Sequence, residues 1–283
     1  MNILITGASG FIGKKLVHRL AEKHKVICLS RHALAEDVTF VQGSFDRFED
    51  LRGLDLFEID VVIHLASVTG GCSEEDGLAV NVLGTRRLYR YLLDRGCKKF
   101  ITASSIAAVG SLDNEFIPLQ LPIQDDHPCL ATDPYGLSKA IVENLTRYFH
   151  RKNAGTEFIN LRFGAVADED WIPSSVQKDT QMPVPFVSLA HVYSNDVVEG
   201  IVKTVEAPMK TGVRNFNLVG PDISSNIPAW DILTSILGDQ SAQYDLDYYK
   251  LPGNEFKPVY AMDRFISEFG YEPARSTRYV TEG

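Results

Sequence analysis

Residues 1–31, MNILITGASGFIGKKLVHRLAEKHKVICLSR, pass from an apolar segment through three glycines into a periodic segment and a second apolar run. The first run, residues 2–6, is too short for a helix and meets Gly7, Gly10 and Gly13 directly, so it reads as a strand entering a tight turn. Gly7 gives the turn its backbone freedom, Gly10 lets the main chain approach a pyrophosphate, and Gly13 lets the following helix lie close to the sheet. From Phe11 onward Ile12, Leu16, Val17 and Leu20 recur at helical spacing, with Lys14, Lys15 and Arg19 on the other side. The N-terminus of such a helix presents free N–H groups and a positive dipole to phosphate. The stretch therefore predicts a dinucleotide-binding βαβ unit, although the GxxGxxG spacing is one residue longer in its first gap than the usual fingerprint.

The second strand, residues 26–29, ends in Ser30, Arg31 and His32. A site specific for NAD places an acidic residue there to hold the ribose 2′-hydroxyl. Here an arginine is available to stack on adenine and pair with a 2′-phosphate, so NADP is the expected cofactor, with NAD the alternative.

The chain has 283 residues, 45% of them hydrophobic, enough for one large α/β core and a smaller lobe. Its net charge of −9, without a basic run, argues against nucleic acid or an anionic membrane surface as partner. Cys28, Cys72, Cys97 and Cys129 are scattered, with no CxxC pair and no spacing of the kind a zinc site needs, and read as reduced thiols with no metal. No stretch is long and apolar enough for a bilayer, and the first residues enter a core strand without a signal-peptide layout. A cytoplasmic location is the expectation.

Further along, residues 38–41, 60–66, 99–103 and 158–162 read as strands and residues 78–95 and 135–151 as helices. This strict alternation is the pattern of a doubly wound parallel sheet. Residues 1–164 are expected to form the Rossmann-type nucleotide-binding domain. Residues 165–283 would form mostly a smaller substrate lobe, with about 186–220 returning to the first domain.

Tyr135 and Lys139 stand four residues apart at the start of a predicted helix, on one face and one turn apart. An ammonium beside a phenol lowers the phenol's pKa toward the range useful for proton transfer. Ser105, expected just past the end of the fifth strand, would polarise a carbonyl that the tyrosine protonates. Open parallel sheets bind ligands at that edge.

Taken together, Thr6 through Gly13, the triplet His64, Leu65 and Ala66, the run from Asn81 to Thr85, the pair Ser104 and Ser105 with Gly110, and the run from Tyr135 to Lys139 make the chain resemble the extended short-chain dehydrogenase/reductases. Leu161 with Arg162 and Asp196 with Val197 extend the likeness more thinly into the rest. The resemblance implies Tyr135 as acid/base, Lys139 as its electrostatic partner and ribose ligand, and Ser105 as the carbonyl-orienting hydroxyl. It implies a cofactor held by Gly7, Ser9, Gly10, Phe11, Ile12, Gly13, Arg31, Leu65, Ala66 and Lys139. It also implies a homodimer paired through the segments near 78–95 and 135–151.

Departures narrow the reaction. Sugar dehydratases of that group carry an acidic pair after the catalytic hydroxyl, where this chain has Ile106 and Ala107. Ser44 stands where an aspartate often meets adenine, and Ala165 and Leu189 stand where polar residues often hold a substrate diphosphate. Lys178 is a candidate replacement. The resulting expectation is an NADPH-dependent 4-ketoreductase or epimerase of a nucleotide-linked sugar. The alternative is a reductase of a small non-nucleotide ketone or aldehyde, of the dihydroflavonol-reductase type. A non-catalytic dinucleotide sensor typically loses the tyrosine or lysine, and both are present. His64 reads as a structural histidine, His191 as either structural or functional, and Tyr244, Tyr248 and Tyr249 as packing residues.

Overall fold

A computed structural model describes residues 1–33, 38–176 and 182–279. Seven strands form one parallel sheet: β1 (Asn2–Thr6), β2 (Lys25–Ser30), β3 (Thr39–Gln42), β4 (Val61–His64), β5 (Lys99–Ser105), β6 (Glu157–Phe163) and β9 (Gly212–Leu218). Their spatial order is β3-β2-β1-β4-β5-β6-β9. Two short strands, β7 (Ala165–Ala167) and β8 (His191–Tyr193), pair separately. The helices are α1 (Phe11–Ala21), α2 (Phe48–Leu51), α3 (Glu74–Asp76), α4 (Thr85–Leu93), α5 (Pro134–Lys152), α6 (Pro185–Ser188), α7 (Ser194–Glu206), α8 (Ala229–Leu237) and α9 (Asp263–Phe269).

The apolar strand runs follow from burial on both faces. Ile3 and Ile5 enter the core under α1 and α7, whereas Leu4 between them enters the core under α4 and α5. Val26 and Cys28 alternate with Ile27 and Leu29 in the same way, as Val61 and Ile63 do with Val62. Side chains that change face at every residue require both faces of the sheet to be covered, which makes the architecture doubly wound. The first core continues beneath α8 and α9 through Ile232, Leu233 and Phe265, so these helices pack onto the sheet.

Two differences from the sequence-based expectation matter. The segment 78–95 is two pieces: a π-helix, Gly77–Gly84, leads into α4. Ser105 is the last residue of β5, not a loop residue beyond it, because β6 pairs with β5 through Phe163. Beyond residue 164, where residues near 186–220 were expected to return to the first domain, β9 runs along β6 over seven residue pairs.

Candidate active site

The order of the strands reverses at β1, which has β2 on one side and β4 on the other, and a crevice opens beyond their C-terminal ends. Gly7 adopts φ +74° there. A Cβ on Gly7 would lie 2.7 Å from the Ala66 nitrogen, and one on Gly13 would lie 2.1 Å from the Gly7 carbonyl oxygen. The turn is therefore folded as tightly as glycine permits, and α1 begins directly beneath it, with no side chain capping its N-terminus.

A cleft of about 540 Å³ lies over this turn. Gly7, Ser9, Gly10, Phe11, Ile12 and Gly13 line its floor, with Leu65 and Ala66 at the middle. Arg31 lies at one end, and Ser105, Tyr135 and Lys139 line the cleft from β5 and α5. Every residue anticipated for catalysis or for holding the cofactor thus borders one cavity. Among the described residues Arg31 has no ion-pair partner, and it also borders a second, polar recess with Ser44, Asp46 and Arg47. The cleft has the size, the backbone-lined floor and the cationic ends that a nicotinamide dinucleotide needs, so the residues present fit that group.

Helix α5 brings the reactive side chains in. Asp133 caps it by accepting the Gly136 N–H at 2.8 Å, and Pro134 occupies the first turn, where no donor is missed. A Cβ on Gly136 would lie 2.4 Å from the Ala107 oxygen, so only glycine allows α5 to seat this closely on the turn after β5. That contact brings Tyr135 within reach of Ser105. Lys139 is buried and donates from Nζ to the Ala103 carbonyl at 2.7 Å, while lying 5.5 Å from the centre of the Tyr135 ring.

Burial sets the acidities. The Tyr135 phenol is pushed up to about 12 by desolvation, with Ser105 pulling it partway back. Lys139 is brought down to about 8 by burial, against the opposing pull of Cys72 and Glu143. Desolvation is the largest influence on the phenol, and the Lys139 ammonium is directed to the Ala103 carbonyl. At neutral pH the phenol keeps its proton.

The tethering role of Asn81 has no signal in the sequence, whereas the other groups near the cleft were singled out from it. Asn81, inside the π-helix, accepts the Val68 N–H at 2.8 Å and donates to the Val68 carbonyl at 3.0 Å and to Ser138 Oγ at 2.9 Å. It ties the loop after β4 to the first turn of α5, a placement in keeping with the use of π-helical turns at functional sites. His64 is buried, hydrogen-bonded through Nδ1 to Thr6 at 2.6 Å and through Nε2 to Thr85 at 2.8 Å. Burial lowers its pKa to about 3, helped by the Lys139 charge, so it stays neutral and structural. His191 stacks on Trp171 with ring centres 4.4 Å apart, outside the cleft lining. Tyr249 is buried and Tyr244 donates to the Pro118 carbonyl, as packing residues do. Leu189 is fully buried and Ala165 pairs with His191 between β7 and β8, so neither offers a group to a phosphate. Lys178 lies outside the described residues.

The parallel sheet with its strand order reversing at β1 is a Rossmann-type fold, and comparison with known proteins narrows it. Residues 3–170 match the NAD dependent epimerase/dehydratase family, and the chain belongs to that family. A UDP-glucose 4-epimerase of Halalkalibacterium halodurans is 33% identical over 189 residues, covering 60% of this chain and 52% of the relative. One from Cyamopsis tetragonoloba is 28% identical over 184 residues, 57% of this chain and 50% of the relative. The chain thus spans about half the length of these relatives. In three dimensions it is similar to UDP-glucose 4-epimerase from Bifidobacterium longum, solved in complex with NAD+ and UDP. That likeness has a TM-score of 0.71 at 18% identity and covers 98% of this chain and 95% of the other. Among the described residues no helix is long and apolar enough to cross a membrane.

Proposed function

We propose that the chain is an NAD(P)-dependent oxidoreductase acting at carbon 4 of a nucleotide-linked sugar, as a 4-epimerase or 4-ketoreductase. The observation that carries this reading is the convergence of Ser105, Tyr135 and Lys139 on the cleft whose floor is the glycine turn. The relatives named as UDP-glucose 4-epimerases, and the structural neighbour holding NAD+ and UDP, support the substrate class. Ile106 and Ala107, both buried where a dehydratase needs acids, speak against loss of water.

A nicotinamide dinucleotide held in this cleft would supply or accept the hydride. The floor residues from Gly7 to Gly13 would hold the pyrophosphate, Leu65 and Ala66 the middle of the cofactor, and Lys139 the nicotinamide ribose. Ser105 orients the sugar C4 oxygen and Tyr135 carries the proton to or from it. A phenol that keeps its proton at neutral pH is ready to act as acid toward a ketone oxygen. Removing the proton in the opposite direction requires the Lys139 charge to stabilise the phenolate.

Arg31 supports NADP as the cofactor, whereas the neighbour's bound NAD+ supports NAD. The exposed apolar side chains Leu83 and Tyr148, on the π-helix and α5, support a homodimer, and a cytoplasmic enzyme is the location proposed. The buried Leu189 favours a second reading, a reductase of a small carbonyl compound without a nucleotide. The test is to release and identify any dinucleotide that copurifies, then titrate the emptied protein with NADPH and NADH. Tightly held NAD identifies an epimerase and removes the Arg31 argument. An empty site that prefers NADPH identifies a reductase, and comparing a UDP-4-keto-hexose with simple ketones separates the two substrate classes. Failure to bind either dinucleotide overturns the proposal.

A further inference from the structure

Helix α5 carries a third polar group on the face of Tyr135 and Lys139: Glu143, one turn beyond the lysine and fully buried. Three residues of α5 thereby meet three consecutive residues of β5. Tyr135 faces Ser105, Lys139 holds the Ala103 carbonyl at 2.7 Å, and Glu143 accepts the Ser104 hydroxyl at 2.7 Å. The carboxylate is then held from the other strands of the sheet. Arg162 on β6 donates to it through Nε at 2.9 Å and Nη2 at 2.8 Å, and Asn215 on β9 donates at 2.8 Å. Arg162 is itself buried and uses Nη1 on the carbonyls of Asp125 and His127, at 3.2 and 3.3 Å.

Removing two charges from water costs several kcal/mol per ion, and a hydrophobic pair of similar volume often serves stability as well. Stability alone therefore does not account for a carboxylate in this position. We propose that Glu143 is a positioning residue for the reaction: its charge, anchored by Arg162 and Asn215, keeps Lys139 protonated against burial and fixes the height of α5 on β5. This rests on the roles given above to Tyr135 and Lys139. The other titratable groups facing the lysine and the phenol are Cys72 on the loop after β4, which favours the charged lysine, His64 on β4, which is neutral, and Asp133 at the α5 cap. Glu143 is held ionised by Arg162 and Ser104 despite its burial, and its field at the lysine is the attractive one.

The test measures NADH and NADPH affinity from pH 6 to 9 by quenching of the protein's tryptophan fluorescence, with a melting curve for every variant. In the wild type, affinity is expected to fall as the pH rises through the Lys139 pKa, and Lys139→Met should abolish that dependence. Glu143→Gln should move the midpoint down by about one pH unit, a tenfold easier loss of the lysine proton. Because Arg162 is left buried and unpaired in that variant, the double variant Glu143→Gln/Arg162→Met is measured beside it. It should melt higher than the single variant yet keep the lowered midpoint. A midpoint unchanged in Glu143→Gln, or restored in the double variant, would overturn the inference and leave the pair a structural one. A wild type that binds dinucleotide with no pH dependence, or with one that Lys139→Met retains, would instead overturn the role given to Lys139, and this inference with it.

Discussion

Replacing Gly7 with alanine tests the turn on which the cleft is built. Gly7 sits at φ +74°, and the added Cβ would lie 2.7 Å from the Ala66 nitrogen and 2.9 Å from the Leu65 carbonyl carbon, both backbone atoms at the end of β4. The left-handed conformation costs an L-residue roughly 1–2 kcal/mol. Forcing a methyl group against fixed backbone adds about 1–3 kcal/mol. The sum, about 2–5 kcal/mol, corresponds to a melting temperature lower by roughly 5–15 °C for a chain of this size. Gly96 provides the control: it has φ +87°, but nothing lies within 4 Å of its Cβ position. Gly96→Ala should therefore show the conformational cost alone, a fall of about 2–6 °C, with no loss of dinucleotide affinity. Calorimetry on both variants, with NADH and NADPH titrations alongside, reads the difference. Gly7→Ala should melt well below Gly96→Ala and lose dinucleotide affinity, whereas Gly96→Ala should bind as the wild type does. Equal melting temperatures would refute the close approach of the turn to β4.

Two further outcomes follow from single side chains. Arg31→Glu should shift the preference from NADPH toward NADH by roughly 10- to 100-fold, the worth of a charge-assisted contact to phosphate; equal ratios in competitive titration would show that Arg31 does not meet the 2′-position. Burial raises Asp125 to about 6, against the opposing effects of the Asn217 N–H and the Arg264 and Arg162 charges. Its contribution to stability is thus present below its unfolded value near pH 4 and lost as the pH rises through 6. Asp125→Asn should consequently gain on the wild type between pH 4 and 6, by at most about 3 kcal/mol, and hold that gain at pH 7; melting curves that stay parallel across this range would contradict it.

The parts legible in the sequence were those written in local pattern. β1 and α1 lie where the apolar run, the glycines and the helical period place them, and the apolar runs of the sheet reflect burial on two faces. Tyr135 and Lys139 were legible because one helical turn separates them. What was not legible depends on contacts distant in sequence or on solvation. The π-helix has no periodic signature of its own, since it differs from α4 only in the ring its backbone bonds close. Ser105 belongs to β5 because of its pairing with Phe163, 58 residues away in the chain. Glu143, Arg162, Ser104 and Asn215 come from one helix and three strands, and only the packed sheet shows that they share one ion pair. The rise in the Tyr135 pKa follows from burial, which spacing alone does not reveal.

Tyr135 is proposed to move the proton in a dinucleotide-dependent reaction at a sugar carbonyl. The most direct test of that role is a single-turnover experiment in which wild type and Tyr135→Phe, each loaded with reduced dinucleotide, are mixed with a UDP-4-keto-hexose and followed at the nicotinamide absorbance. The wild type should oxidise its dinucleotide rapidly. Tyr135→Phe should bind dinucleotide nearly as well, with a rate lower by roughly 10²- to 10⁴-fold, the usual worth of general acid catalysis. Equal rates in the two proteins would contradict the role given to Tyr135.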